Sequence, residues 1–200
     1  MKTRDFEYTI GNKKIPKNTM IFNMGPATKC PADKLGLCGL GMSGNKKCYA
    51  LKAERGISKK TVATFRLRQQ KYWLSHTKEQ INKDIDVTLY ANPEITTIRV
   101  NESGDMHGPD CLKKLIHIAK NNPNYKFYTY THRSDIMKDV TTSKLPKNLS
   151  INLSYTSKKK GFNSFIVVSK DDKRVNCVAD CRHCHLCKDA TGKKIYTAIH

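Results

Sequence analysis

Apolar positions recur with two different periods along the 200-residue chain, and the switches between them mark the elements. Residues 1–47 follow neither period. That region is broken by Gly and Pro, and only residues 19–23 have the apolar run of a strand. From Cys48 the pattern turns helical through Ala50, Leu51 and Ala53, with Gly56 as a stop. A longer helix is predicted next, where Val62, Phe65, Tyr72, Trp73 and Ile81 recur at near-helical spacing. Beyond Asn92-Pro93, strand and helix signals alternate. Residues 98–100 read as a strand ending in Asn101-Glu102-Ser103-Gly104-Asp105. Gly108-Pro109 opens a helix with the stripe Leu112, Leu115, Ile116 and Ala119, which stops before Asn121-Asn122-Pro123. Residues 125–130 form the next strand, ending at Thr131-His132-Arg133-Ser134-Asp135, and a short helical segment follows. Residues 149–155 and 165–168 complete the strands.

A βαβαβ series of this kind predicts an α/β fold, a parallel sheet with crossover helices, either open or part of a β/α barrel. The length suits one domain over 1–200, with a loop-rich region (1–47), a βα core (48–169) and a cysteine-rich end (170–200). In both arrangements ligands sit at the C-terminal ends of the strands. Glu102, Ser103 and Asp105 after one strand, and His132, Arg133 and Asp135 after another, would therefore face one crevice and are the candidate catalytic residues. Their plainer reading is as helix caps and turn residues.

Charge changes the picture in one respect. A net charge of +20, mostly Lys and densest at Lys158-Lys159-Lys160, attracts polyanions, so nucleic acid is a candidate partner. No zinc-finger spacing and no aromatic and basic ribonucleoprotein motif accompanies it, and a solvated basic surface explains the charge equally well. No uncharged apolar stretch approaches the ~20 residues that span a bilayer, which predicts a soluble, intracellular protein without a membrane partner.

The eight cysteines carry the chemistry. Reduced cytosolic thiols seldom pair, and their grouping suggests ligands, a disulfide framework being the less favoured alternative. Cys181, Cys184 and Cys187 have the C-x2-C-x2-C spacing that offers three thiolates to a cubane cluster, and Cys177 can supply a fourth. Zinc is the rival. Structural zinc sites more often pair two separated C-x2-C knuckles, whereas these four crowd into one segment, which favours a [4Fe–4S] cluster. Cys30, Cys38 and Cys48 are more widely spaced. Gly39, Gly41 and Gly44 let their loop wrap closely, Cys48 stands at a helix start, and three ligands leave one coordination position open. The plain alternative is three buried thiols. Cys111, beside its helix's apolar stripe, reads as a core thiol.

Several stretches in the same order resemble the phage gene product 88 domain family. They are Cys30-Pro31-Ala32 through Cys48-Tyr49-Ala50-Leu51-Lys52-Ala53-Glu54-Arg55, then Arg99-Val100-Asn101-Glu102-Ser103-Gly104-Asp105-Met106, then Phe127-Tyr128-Thr129-Tyr130-Thr131, and the close from Lys194 to His200. The resemblance implies a viral protein working in the host cytoplasm. The cysteine pattern is also similar, more distantly, to radical SAM proteins. That likeness implies a partial β/α (TIM-like) barrel, an open cluster on Cys30, Cys38 and Cys48, and an auxiliary one on Cys177, Cys181, Cys184 and Cys187. It also places Glu102, Ser103, Gly104 and Asp105 where S-adenosylmethionine is held, and it implies an electron donor as partner. The spacing departs from that family's compact C-x3-C-x2-C, and Tyr49 follows Cys48 where an aromatic usually precedes the last cysteine. One shared cluster is the alternative to two, and a metal-stabilised basic module binding nucleic acid or a host factor is the alternative to an enzyme.

Overall fold

The computed structural model describes residues 6–41, 44, 46–56, 59–154 and 159–199. Tyr155, Lys158 and His200, which figure in the readings above, lie outside them. The elements in chain order are β1 (Thr9–Ile10), β2 (Thr19–Phe22), α1 (Pro31–Lys34), α2 (Tyr49–Ala53), α3 (Lys59–Ser75), α4 (Lys78–Ala91), β3 (Thr97–Val100), α5 (Pro109–Asn121), β4 (Lys126–Thr131), α6 (Ser134–Met137), β5 (Leu149–Ser154), β6 (Asn163–Val168) and β7 (Lys194–Ala198). The seven strands form one sheet in sequence order. β1 pairs antiparallel with β2, and every later neighbour pair is parallel. The expected mixed α/β architecture with a mainly parallel sheet is therefore present, and strands from the first and last regions of the chain belong to the same sheet as the central ones.

The expected single helix reaching Ile81 is two helices. Thr77 ends the run because its hydroxyl accepts from the Gln80 backbone N–H at 3.2 Å while the Gln80 side chain accepts from the Thr77 N–H at 2.9 Å. This reciprocal box restarts the chain as α4. β1 and β7 went unpredicted. β1 is two residues long, too short for a period to register, and β7 has only three apolar positions, Ile195, Tyr196 and Ala198, in five.

Side chains alternate across the sheet. Met20, Phe22, Ile98, Val100, Phe127, Leu149, Ile151 and Leu153 point to one face, where they pack with Trp73 of α3, Ile81, Ile85 and Leu89 of α4, and Leu112, Leu115 and Ile118 of α5. Cys111 lies in the same cluster, 2% exposed, as a core thiol. Burying each such Leu, Ile or Phe contributes about 1.5–3 kcal/mol, so this face holds the fold together. The registers Arg99↔Tyr128↔Ser150 and Tyr130↔Asn152↔Asn163 put a polar and aromatic row on the opposite face. No helix covers that row. The cysteine-bearing loops lie across it.

Candidate functional site

The loop after β2 carries Cys30, Cys38 and Cys48; the loop after β3 carries Glu102 to Asp105; the segment between β6 and β7 carries the last four cysteines. All three meet at a cavity of about 450 Å³ on the polar-aromatic face. Seven of the eight cysteines line it, every one but Cys111, although the two groups are separated by more than half the chain. Cys30 and Cys48 are the N-caps of the short α1 and α2.

Each group is held by a buried polar anchor. For the N-terminal group it is Glu54, whose carboxylate accepts from the Ala27 N–H at 2.7 Å, the Thr28 N–H at 3.3 Å and the Ser103 hydroxyl at 3.4 Å. Arg66 of α3 pairs with it at 2.7 Å and also donates to the Ala50 carbonyl at 3.1 Å. Two of the three loop glycines are required by close packing. A Cβ on Gly41 would stand 2.1 Å from Asp33 Oδ1, and one on Gly44 would stand 2.3 Å from the Gly39 carbonyl oxygen, whereas Gly39 itself faces open space.

The C-terminal group is anchored by Asn152 and Asn163, both fully buried on the cavity face of the sheet. Asn163 donates to the Asp189 carbonyl at 2.8 Å and more weakly to that of Leu186 at 3.4 Å, and it accepts from the N–H groups of Thr191 and Lys193 at 3.2 and 3.1 Å. Asn152 donates to the Cys187 carbonyl at 3.0 Å. These bonds lay the cysteine segment back along the sheet. Cys181 N–H reaches the Lys14 carbonyl at 2.8 Å and Cys177 N–H that of Tyr196 at 3.0 Å, so the segment spans the cavity from one edge of the sheet toward the other.

Between the two cysteine groups lies Arg99. Its guanidinium sits 5.2 Å from the Tyr130 ring and 5.8 Å from the Tyr128 ring, donates to the Tyr49 hydroxyl at 3.3 Å, and lies 4.0 Å from Glu102. Its Nε and the Tyr128 hydroxyl are buried without hydrogen-bond partners. Tyr49 also donates to the Glu102 carbonyl. Its hydroxyl is therefore inside the cavity while half of the residue is exposed at the lip.

The strand-end residues divide. Glu102, Ser103, Gly104, Asp105 and His132 line the cavity, and Arg133 does not. Arg133 instead clamps Asp135 with two bonds of 2.9 and 2.7 Å and donates to the Met106 carbonyl. Asp105 ties β3 to β4: it accepts from the Thr131 hydroxyl at 2.7 Å, the Met106 N–H at 2.7 Å and the His132 N–H at 2.8 Å. Burial pushes its carboxyl up to about 6 despite those donors. Ser103 is occupied by Asn23 and Glu54. Burial pushes His132 down to about 4, so it is a neutral imidazole at the cavity wall. Glu102 is the carboxylate best placed to meet a ligand, held by the Asn12 amide at 2.7 Å. Gly104 has φ +77°, and a Cβ there would stand 2.8 Å from both N and O of Gly25. Gly104→Ala is accordingly expected to cost at least about 1–2 kcal/mol, read as a fall in Tm of about 2–4 °C per kcal/mol.

The thiols test the fit of a metal. Burial pushes Cys30 and Cys187 up to about 12. Cys187 also feels the charges of Cys177, Cys181 and Cys184, and Cys38 that of Cys48, so each group is within electrostatic reach of itself. Buried thiols this reluctant to ionise become thiolates when a metal compensates the charge. Among the described residues, no three His, Cys, Asp or Glu side chains converge as one bare ion requires. A cubane takes its thiolates at the corners of a cage and spans a wider ligand set than a single ion does. Donor type and cavity suit a cluster.

The fold and site define an α/β protein with a mainly parallel sheet and a cysteine-lined cavity on the face away from its helices. A family model for Gene product 88 matches residues 2–194, and the chain belongs to that family. No curated protein and no solved structure matches it. Among the described residues, no helix is long and apolar enough to cross a membrane.

Sequence reasoning missed Arg99, Tyr128 and Tyr130 as site residues. Their signal was present: polar-tipped residues at every second position of β4, facing Arg99 in β3, mark a strand whose second face is not ordinary core.

Proposed function

We propose that this phage-family protein binds iron–sulfur, with one or two [4Fe–4S] clusters held in the cavity by Cys30, Cys38 and Cys48 and by Cys177, Cys181, Cys184 and Cys187. The observation that carries the reading is the convergence of both cysteine groups on one cavity. The sequential order of the parallel strands supports a radical-SAM-like partial barrel, since that order is the one a β/α barrel uses. The cysteine loop after the first parallel strand and the Glu102-Ser103-Gly104-Asp105 loop after the second agree with that layout, S-adenosylmethionine being the ligand it implies. When bound, the cluster supplies one-electron chemistry, drawn from an electron donor in the host cytoplasm. The chain's own residues do the rest. Glu102 and Arg99 present opposite charges to a ligand, Tyr128 and Tyr130 wall off solvent, and His132 offers an uncharged ring. Anaerobic purification and reconstitution, followed by iron, sulfide and zinc analysis, tests this. About four iron and four sulfide per cluster are expected; a colourless protein with stoichiometric zinc contradicts it.

A second reading has its own support. No described helix lies between β6 and β7, so the cysteine segment holds its place through asparagine bonds, and a zinc ion there would serve as a brace. On that reading the protein is a non-catalytic basic module, and reduction in the presence of S-adenosylmethionine yields no 5′-deoxyadenosine.

A further inference from the structure

A second, shallower pocket of about 460 Å³ adjoins the cysteine cavity at its lip and shares Lys47, Cys48, Tyr49 and Lys52 with it. Lys46 and Arg55 complete its basic lining, and no acidic residue lines it. All four cations are exposed. They arise from one short stretch, with Lys46 and Lys47 before α2, Lys52 in it and Arg55 just after it, so the tight turn of α2 gathers them around Tyr49. Tyr49 belongs to both spaces, its hydroxyl bonded inside the cavity and its ring half exposed at the lip.

We propose that this vestibule binds single-stranded nucleic acid and presents one base at the mouth of the cysteine cavity. This rests on the cavity's being the reactive centre and names the substrate class for it. Four cations on one side of a ring suit a phosphodiester chain whose base stacks on the aromatic face, the combination by which single strands are held without sequence preference. A duplex buries its bases away from any such ring, and an enzyme that works on a base must take it out of the stack. The cavity beyond Tyr49 has the size of a small-ligand pocket, room for a base and not for a helix. The protein's overall charge of +20 attracts any polyanion, so the proposal is specific to place: the vestibule, not the whole surface, carries the affinity.

Fluorescence anisotropy with a short labelled oligonucleotide, as single strand and as duplex, tests it on the full chain. The comparison sets Lys52→Glu/Arg55→Glu against Lys113→Glu/Lys120→Glu, an equal charge change on exposed positions of α5, which packs on the opposite face of the sheet. The vestibule pair is expected to weaken single-strand binding at least about tenfold and to lower the salt slope by about two, one per lost phosphate contact. The α5 pair is expected to change affinity less than about threefold, as a screened distant charge does. Equal losses for both pairs, or a duplex bound as tightly as the single strand, overturn the proposal. Photo-crosslinking of the unmodified protein gives a result independent of the variants' folding: the adduct is expected on the peptide holding Tyr49, and an adduct confined to other peptides overturns it. Anisotropy and crosslinking do not depend on which metal the cysteines hold, and metal content is measured on the same samples, so failure of the cluster reading and failure of this one are separate results.

Discussion

Asn163→Leu is expected to lower unfolding free energy by at least about 3 kcal/mol and to free the C-terminal cysteine segment. The side chain is fully buried, and its amide meets two carbonyls and two N–H groups of residues 186–193 while also reaching Asn152 Oδ1 at 3.1 Å. Leucine matches its volume but leaves those backbone groups without partners, at about 1–3 kcal/mol for each one that stays buried. Some will find water as the segment lifts. The total is therefore smaller than the sum, and the loss of order larger. Thermal unfolding reads the first effect, as a Tm fall of about 6–12 °C. Limited tryptic digestion reads the second, since Lys173, Arg174, Arg182 and Lys188 lie in the segment and cleavage there is expected to accelerate. Unchanged digestion would show that the segment is held by something else.

Glu54→Ala is expected to do the same to the other cysteine group. It leaves Arg66, whose side chain is 8% exposed, as a buried cation facing unpaired N–H groups. Breaking such a pair from one side costs about 3–5 kcal/mol. Replacing both members, Glu54→Leu with Arg66→Met, is expected to recover part of that loss, because the stranded charge disappears with its partner. A double-mutant cycle in chemical denaturant measures the coupling. Additive single effects would mean that the pair is not what ties α2 and α3 to the residues preceding Cys30.

These anchors show where sequence reading stops. The cysteine groups, the strands from β2 to β6 and the strand-end position of Glu102 are all legible, because spacing and period are local properties. Asn163 and Glu54 read as turn and surface residues, since a polar side chain's burial depends on what the rest of the chain brings to it. Nor can spacing say that Cys48 and Cys187 share a cavity wall. That follows from the order of parallel strands, and the seventh strand was hidden in five residues of mixed pattern. The break between α3 and α4 was legible in principle: Thr77-Lys78-Glu79-Gln80 has the form of a capping box. Arg133 reads as a site residue from its place after β4, yet it turns away to hold Asp135. Position at a strand end selects candidates, and competition among local partners decides which of them reach the ligand.

The two anchors also give the cysteine cavity its logic. A polar network holds each thiol-bearing loop against one sheet face, as a site must be if it is to bind the same group in the same geometry each time. Mössbauer spectroscopy of protein reconstituted with enriched iron tests that most directly, comparing the unmodified chain with a Cys30, Cys38 and Cys48 to Ala variant and a Cys177, Cys181, Cys184 and Cys187 to Ala variant. Cluster-type doublets are predicted in the unmodified protein, with intensity lost in each variant. Spectra that carry no cluster signal, or one that neither set of substitutions diminishes, would contradict the account.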